Sequence, residues 1–456
     1  MRALMSALIM ASLPAAGLAQ TPPPPGEVPA LHDIATAPSA ARIEADIATL
    51  VSFGTRHTLS ETESETRGIG AARRWIHAEF ERISAACGGC LEVMYVSDTV
   101  TGARIPQPAE VVSVIAIQRG TTDPNRYVLM SGDIDSRVTD VMNATDDSPG
   151  ANDNASGVAG TLEAARVLTR HRFPATIVYA ALAGEEQGLF GGQILAAHAQ
   201  REGWRLQAVL NNDMIGNSAG INGVVDNVTA RVFAEGTRMT ETDQEATQRR
   251  FTGGEVDSPS RNLARYIARM GEQYVPNLNV MMVYRLDRFG RGGHHRPFND
   301  LGYPGVRIME TNEHYDRQHQ DLRNEDGRHY GDTIEYVDFD YAAKLTGLNA
   351  VALAGMAWGP PPPAGVQIEG AVSPDTTLRW TRPTDAQAPD LAGYRLYWRL
   401  TTEPQWTHSR WVGDVTEFTL ENVVIDNYFF GVAAVAENGA ESPVVFPGAA
   451  GGFGGY

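Results

Sequence analysis

Cysteine is nearly absent: the 456 residues include two, Cys87 and Cys90. Two thiolates are half of what a closed structural zinc site needs, which excludes a cysteine-built zinc framework. Their Cys-Gly-Gly-Cys spacing fits a redox pair in a reducing compartment and a local disulfide in an oxidising one. Positive charge is also in short supply. Lys and Arg total 37 against 55 Asp and Glu, giving a net charge of −18 and a pI near 5.0. So acidic a chain argues against nucleic acid and anionic membranes as partners, and leaves cations and peptides with a free amine. Beyond the first twenty residues no apolar run is long enough to span a bilayer, so no membrane span is expected in the mature form.

The N-terminus, MRALMSALIMASLPAAGLAQ, has one Arg, a short apolar run and a small-residue close. That pattern is a secretory signal, residues 1–19, with the cut after Ala19. It places the protein in the periplasm or outside the cell, where Cys87 and Cys90 are expected as a disulfide. A proline-rich linker follows at 20–30, and WGPPPPAG supplies a second at 359–364. With 43% apolar residues the chain can build a large core, and its length suits two domains.

Between the linkers, residues 31–358 alternate strand and helix signals. Residues 62–84 place Ile69, Ala72, Trp75, Ile76, Phe80 and Ile83 at helical spacing. Strand-like runs at 111–120, 126–133, 175–184 and 206–216 alternate with helical stretches at 154–171 and 189–200. The pattern predicts an α/β domain with a mostly parallel central sheet flanked by helices. Residues 218–290 are polar and yield one clear helix, 261–274; a closing helix is expected at 337–358. After the second linker, short alternating runs with turns predict an all-β sandwich over 365–447, similar to a fibronectin type III domain. A Gly-rich tail, 448–456, ends the chain.

Acidic residues gather where strands end. YVLMSGDID closes on Asp133 and Asp135, TIVYAALAGEE on Glu185 and Glu186, and VLNNDMIG carries Asp213; PGANDNASG sets Asp153 before a helix. Ligands of open parallel sheets bind beyond the carboxyl ends of strands. Carboxylates crowded there repel and raise one another's pKa, and a multivalent cation removes that cost. A metal site is therefore expected, with two ions. Read as extended chain, Glu185 and Glu186 point to opposite sides, one as ligand and one as general base for water.

These motifs resemble the bacterial, secreted members of the M28 family of zinc aminopeptidases. The resemblance runs through most of 45–357 and rests on GDIDS, PGANDNASG, AGEEQGLFG, NNDMIG and HHRPFNDLGYPGVRIMET. It implies Asp153 as bridge between two Zn2+ ions, Glu186 and Asp213 as their outer ligands, Glu185 as general base and Asp135 as the acid behind the first ligand. One position departs. Where the family has histidine, this chain has Asp133, a shorter ligand with an added negative charge. An altered two-metal site, a one-metal site and a site preferring a harder ion, such as manganese, are all left open. A late histidine completes the set: His319 is favoured over His329. His294 and His295 are expected beside the substrate pocket.

The reading is an exported metal-dependent exopeptidase that removes N-terminal residues from peptides. Two alternatives stand: a single-zinc acyltransferase like the glutaminyl cyclases, and a non-catalytic binding protein on a degenerate scaffold. The C-terminal module would then contact protein or carbohydrate.

Overall fold

Three runs of the sequence are apolar without interruption, and they become the centre of a sheet. In a computed structural model that describes residues 22–453, β3 (Asp123–Asp133), β4 (Ala175–Leu182) and β5 (Arg205–Asn212) are buried along nearly their whole length. Strands buried on both faces need helices on both sides. The signal segment and the last three residues lie outside the described residues.

The chain enters through α1 (Pro29–Thr36), α2 (Ala40–Ser52) and α3 (Gly68–Ala86), then forms the long hairpin β1 (Leu91–Gly102) and β2 (Ile105–Gln118). After β3 come α4 (Gly157–Leu168), β4, the single turn α5 (Glu185–Gly188), α6 (Phe190–Arg201) and β5. The polar region resolves into β6 (Thr229–Phe233), α7 (Asp243–Thr252), α8 (Pro259–Tyr274) and β7 (Asn279–Val283). A short α9 (Arg296–Asp300), β8 (Gly305–Glu310), a small hairpin of β9 (Arg323–Glu325) and β10 (Arg328–Tyr330), and α10 (Phe339–Trp358) complete the domain.

The sheet has eight strands in the order β1-β2-β4-β3-β5-β8-β6-β7. Its centre, β4-β3-β5-β8, is parallel; β1, β2 and the β6–β8 pairing are antiparallel, so the sheet is mixed. Helix α10 is apolar almost all round and buried over most of its length, as expected of a helix inside the core rather than upon it. No helix among the described residues is long and apolar enough to cross a membrane.

Beyond α10 lie β11 (Ala364–Glu369), β12 (Thr376–Thr381), β13 (Leu391–Leu400), β14 (His408–Gly413), β15 (Glu417–Leu420) and β16 (Tyr428–Ala436). They form two three-stranded antiparallel sheets, β11-β12-β15 and β14-β13-β16. Leu378 and Trp380 of the first share one core with Tyr394, Leu396 and Val432 of the second.

Among the described residues neither proline stretch is free chain. Pro29 already starts α1, and the carbonyl of Pro22 accepts from Trp411 Nε1 at 2.8 Å. Gly359, Pro360, Pro361 and Pro363 are buried, and the guanidinium of Arg126 holds the carbonyls of Met356 and Gly359 at 2.8 and 2.9 Å. The two parts are joined through Asp257, whose buried carboxylate takes Arg265 at 2.8 Å and both its oxygens take Arg399, at 2.8 and 2.9 Å. Cys87 and Cys90 are disulfide-bonded.

Candidate metal centre

The carboxyl ends of β3, β4 and β5 bring the predicted acids to one edge. Gly132, next to last in β3, allows this: a Cβ there would stand 2.2 Å from the Gly157 backbone, so only glycine lets the start of α4 come this close. Gly184, at φ 76°, breaks the chain out of β4. Glu185 and Glu186 consequently open the helical turn α5 instead of extending the strand, which corrects the expectation that they alternate on extended chain.

Asp135 fixes that turn. Its carboxylate accepts the N–H groups of Glu185 and Glu186 at 3.1 and 3.0 Å and the Thr58 hydroxyl at 3.1 Å. Burial raises the Asp135 carboxyl to about 6, with Glu186 adding to the shift. Asp153 is placed from behind in a similar way. Asp332 accepts the N–H of Asn152 at 2.9 Å and of Asp153 at 2.6 Å. Arg56, 1% exposed, donates to the carbonyls of Ile134, Pro149 and Gly150 and so ties the end of β3 to the loop carrying Asp153.

Three of the five expected ligands converge. One donor atom each from Asp153, Glu186 and His319 lies within 4.8 Å of the others. His319 Nε2 is 2.9 Å from Asp153 Oδ2 and 2.7 Å from Glu186 Oε1, yet it makes no well-aligned hydrogen bond. A buried nitrogen aimed between two carboxylates brings three donor atoms to where a cation could replace the imidazole proton. The donor set, two carboxylates and an imidazole, is one that zinc accepts, with a position left for water or substrate. His319 occupies the left-handed region, at φ 54°, a conformation that histidine adopts more readily than most residues. Burial would lower the His319 imidazole, but Glu186 and Asp153 outweigh it and raise it to about 9. Burial would likewise raise Asp153; His319 and the amide of Gln318, 3.0 Å away, hold it well below the usual carboxylate range.

Glu185 is half-buried beside this cluster. Burial and its neighbours Glu186, Asp213, Asp133 and Asp135 push its carboxyl well above the ordinary value. Raised affinity for a proton is what a general base needs.

The other two expected ligands stand apart. Asp133 Oδ1 lies 2.5 Å from His294 Nδ1, and Oδ2 accepts from Asn154 at 2.8 Å. Asp213 Oδ2 is paired with Arg307 at 2.6 Å, and burial nevertheless pushes its carboxyl up to about 7. His294 and His295 are both fully buried, so neither lines an open pocket. His294 braces Asp133, and His295 Nε2 lies 2.9 Å from the Leu286 carbonyl. His329 sits in the β9–β10 hairpin, 2.8 Å from Asn324 Oδ1. Glu310 accepts from the Asn152 side chain and the Asn217 N–H, and so belongs to the scaffold.

Sequence reading missed four residues here: Arg56, Arg137, Asp332 and Arg307. Arg137 donates to Glu186 Oε2 at 2.7 Å and its other nitrogen is 2.7 Å from His319 Nδ1. A signal existed for Arg307, a charge in the middle of the apolar strand VRIME, where an unpaired ion is costly.

Comparisons with known proteins agree with the geometry. The model of Peptidase family M28 matches residues 113–337. A probable zinc metalloprotease of Leptosphaeria maculans is 46% identical over 411 residues, covering 90% of this chain and 94% of its own. One from Pyricularia oryzae is 45% identical over 413 residues, covering 89% and 82%. These relatives are fungal, which corrects the expectation of bacterial ones. Among solved structures, the LapA aminopeptidase of Legionella pneumophila shares the fold, with TM-score 0.52 and 19% identity over 77% of each chain. On the strength of its fungal relatives, the chain belongs to peptidase family M28.

Proposed function

We propose that this protein is an exported zinc exopeptidase that hydrolyses the N-terminal peptide bond of its substrates. The observation that carries the reading is the convergence of Asp153, Glu186 and His319 beside the half-buried Glu185. A zinc ion held by those three residues would supply a Lewis acid and a water of lowered pKa. Glu185 takes a proton from the attacking water and returns it to the leaving amine. Arg137 and Gln318 hold the ligand side chains in place. Asp135 orients the Glu185–Glu186 turn through two backbone N–H groups.

Aminopeptidase action is supported by the surplus of carboxylates. Asp135 and Glu185 add carboxylates beside the centre, a setting that suits a protonated substrate amine. Export is supported by the signal-like N-terminus and by the Cys87–Cys90 disulfide, a bond of oxidising compartments. The C-terminal sheets are read as a fibronectin type III-like module, residues 365–447, that contacts protein or carbohydrate.

The test is hydrolysis of aminoacyl anilides and of peptides with free and acetylated N-termini. Metal-dependent cleavage of the free forms alone is expected; cleavage of acetylated peptides at equal rate would remove the aminopeptidase reading. One observation favours a second reading. A single three-ligand group also suits acyl transfer without water, as in cyclisation of N-terminal glutamine. Release of ammonia from glutaminyl peptides, with no hydrolysis, would establish it.

A further inference from the structure

The geometry points to a mononuclear centre, in which the guanidinium of Arg307 stands in place of a second metal ion. This rests on the metallopeptidase reading above and concerns the half of the site that the three convergent ligands leave out.

A metal was expected because four carboxylates crowd one edge. Of the four carboxylates expected as ligands, Asp153 and Glu186 converge, and His319 completes their group. Asp133 is already satisfied. It is 2% exposed, with Oδ1 facing His294 Nδ1 at 2.5 Å and Asn211 Nδ2 at 3.3 Å, and Oδ2 taking Asn154 Nδ2 at 2.8 Å. Turning that carboxylate toward an ion would leave His294 and Asn154 buried with a lost partner, a costly arrangement.

One oxygen of Asp213 is paired with a different cation. Arg307 comes from β8, the strand next to β5, and is fully buried. Its Nη2 is 2.6 Å from Asp213 Oδ2, and its Nη1 is 3.3 Å from both oxygens of Asp287 and 3.0 Å from the Gly292 carbonyl. Arg288 adds a second guanidinium 3.7 Å from Asp213 Oδ2. Asp213 and Asp287 thus face two guanidinium groups, of which Arg288 also pairs with Glu313 at 3.2 Å. Asp213 Oδ1 is buried without a partner, so it remains as the one oxygen able to ligate. An ion there would find that oxygen and Asp153, with Asp133 already committed. Zinc takes at least three protein ligands in catalytic sites. A dication would also sit against the fixed charge of Arg307 in a buried setting, where like charges repel most strongly. Among the described residues no second group of three ligands converges.

Arg307 is not equivalent to the ion it stands for. It has no open coordination position, and its contacts to carboxylates and carbonyls hold it in the core. It acts as a positioning residue: it keeps Asp213 in place beneath the centre and leaves water activation to one metal and Glu185.

The experiment uses the full chain. Metal-free protein is titrated with Zn2+ by calorimetry, and the metal retained after dialysis is counted by elemental analysis. A Co2+-loaded sample is examined by electron paramagnetic resonance for coupling between ions. The Asp213→Asn variant is measured in parallel, with thermal melting to confirm that it folds. One ion per wild-type chain, no coupled pair, and one ion retained in Asp213→Asn is the expected result. Two ions in the wild type, or a coupled pair, would overturn the mononuclear centre and leave the metallopeptidase reading intact. No bound ion in the wild type would overturn both. The wild-type count decides even where the variant does not fold.

Discussion

Arg137 reaches two side chains of the centre at once: it donates to Glu186 Oε2 at 2.7 Å, and its Nη2 lies 2.7 Å from His319 Nδ1. The bond to Glu186 is the one that can orient a metal ligand, and such groups are commonly worth 10- to 100-fold in affinity. Arg137→Ala is expected to weaken zinc binding by about that factor while leaving the melting temperature nearly unchanged, because Arg137 is half-buried and outside the core. Competition with a chromophoric chelator measures it. Unchanged affinity would mean that the contact is incidental.

The junction between the two parts of the chain rests on a buried charge. The single carboxylate of Asp257 pairs with both Arg265 and Arg399, and all three are at most 1% exposed. Removing the carboxylate leaves two guanidinium groups unpaired, a change that costs about 3–5 kcal/mol. Asp257→Ala is therefore expected to lower the denaturant midpoint clearly, and to loosen the C-terminal sheets toward proteolysis in the linker. A variant as resistant as the wild type would show that the apolar contacts alone hold the junction.

Glu235 gives a pH dependence away from the metal centre. Burial raises its carboxyl to about 8, helped by Asp300 and opposed by the Ser260 hydroxyl and Arg238. The folded chain therefore holds this proton more tightly than the unfolded one. The stabilisation is complete below the unfolded value, near 4.5, and is lost as pH rises through 8. The full difference corresponds to about 5 kcal/mol, and partial solvent access brings the expected loss to about 2 kcal/mol. Glu235→Gln should stabilise the protein at pH 9 relative to wild type and have little effect at pH 4. Melting curves at the two pH values test this; a pH-independent difference would contradict it.

Much of the architecture was legible because it follows from periodicity. The continuous apolar runs that became β3, β4 and β5, and the helical spacing of Ile69, Ile76 and Phe80 in α3, leave few alternatives. The antiparallel strand β1 escaped because its exposed positions read as loop. Strands β6 and β7 are five residues each, too short to stand out in a polar region.

At the site, the acids were legible as a set, since each follows a strand or a glycine. Their division was not. Whether Asp133 and Asp213 face a metal depends on His294 and Arg307, which lie 161 and 94 residues further along and meet them through sheet order alone. The conformation of Glu185 and Glu186 was misread for a local reason, the left-handed Gly184.

The most direct measurement is hydrolysis of an aminoacyl anilide by wild type and by Glu185→Gln at equal zinc content. Loss of a general base costs about 10²- to 10⁴-fold. The expected result is a fall in kcat of that size, with zinc bound as tightly as in the wild type. Equal turnover at equal zinc content would contradict the assignment of Glu185 and, with it, water-mediated peptide hydrolysis at this centre.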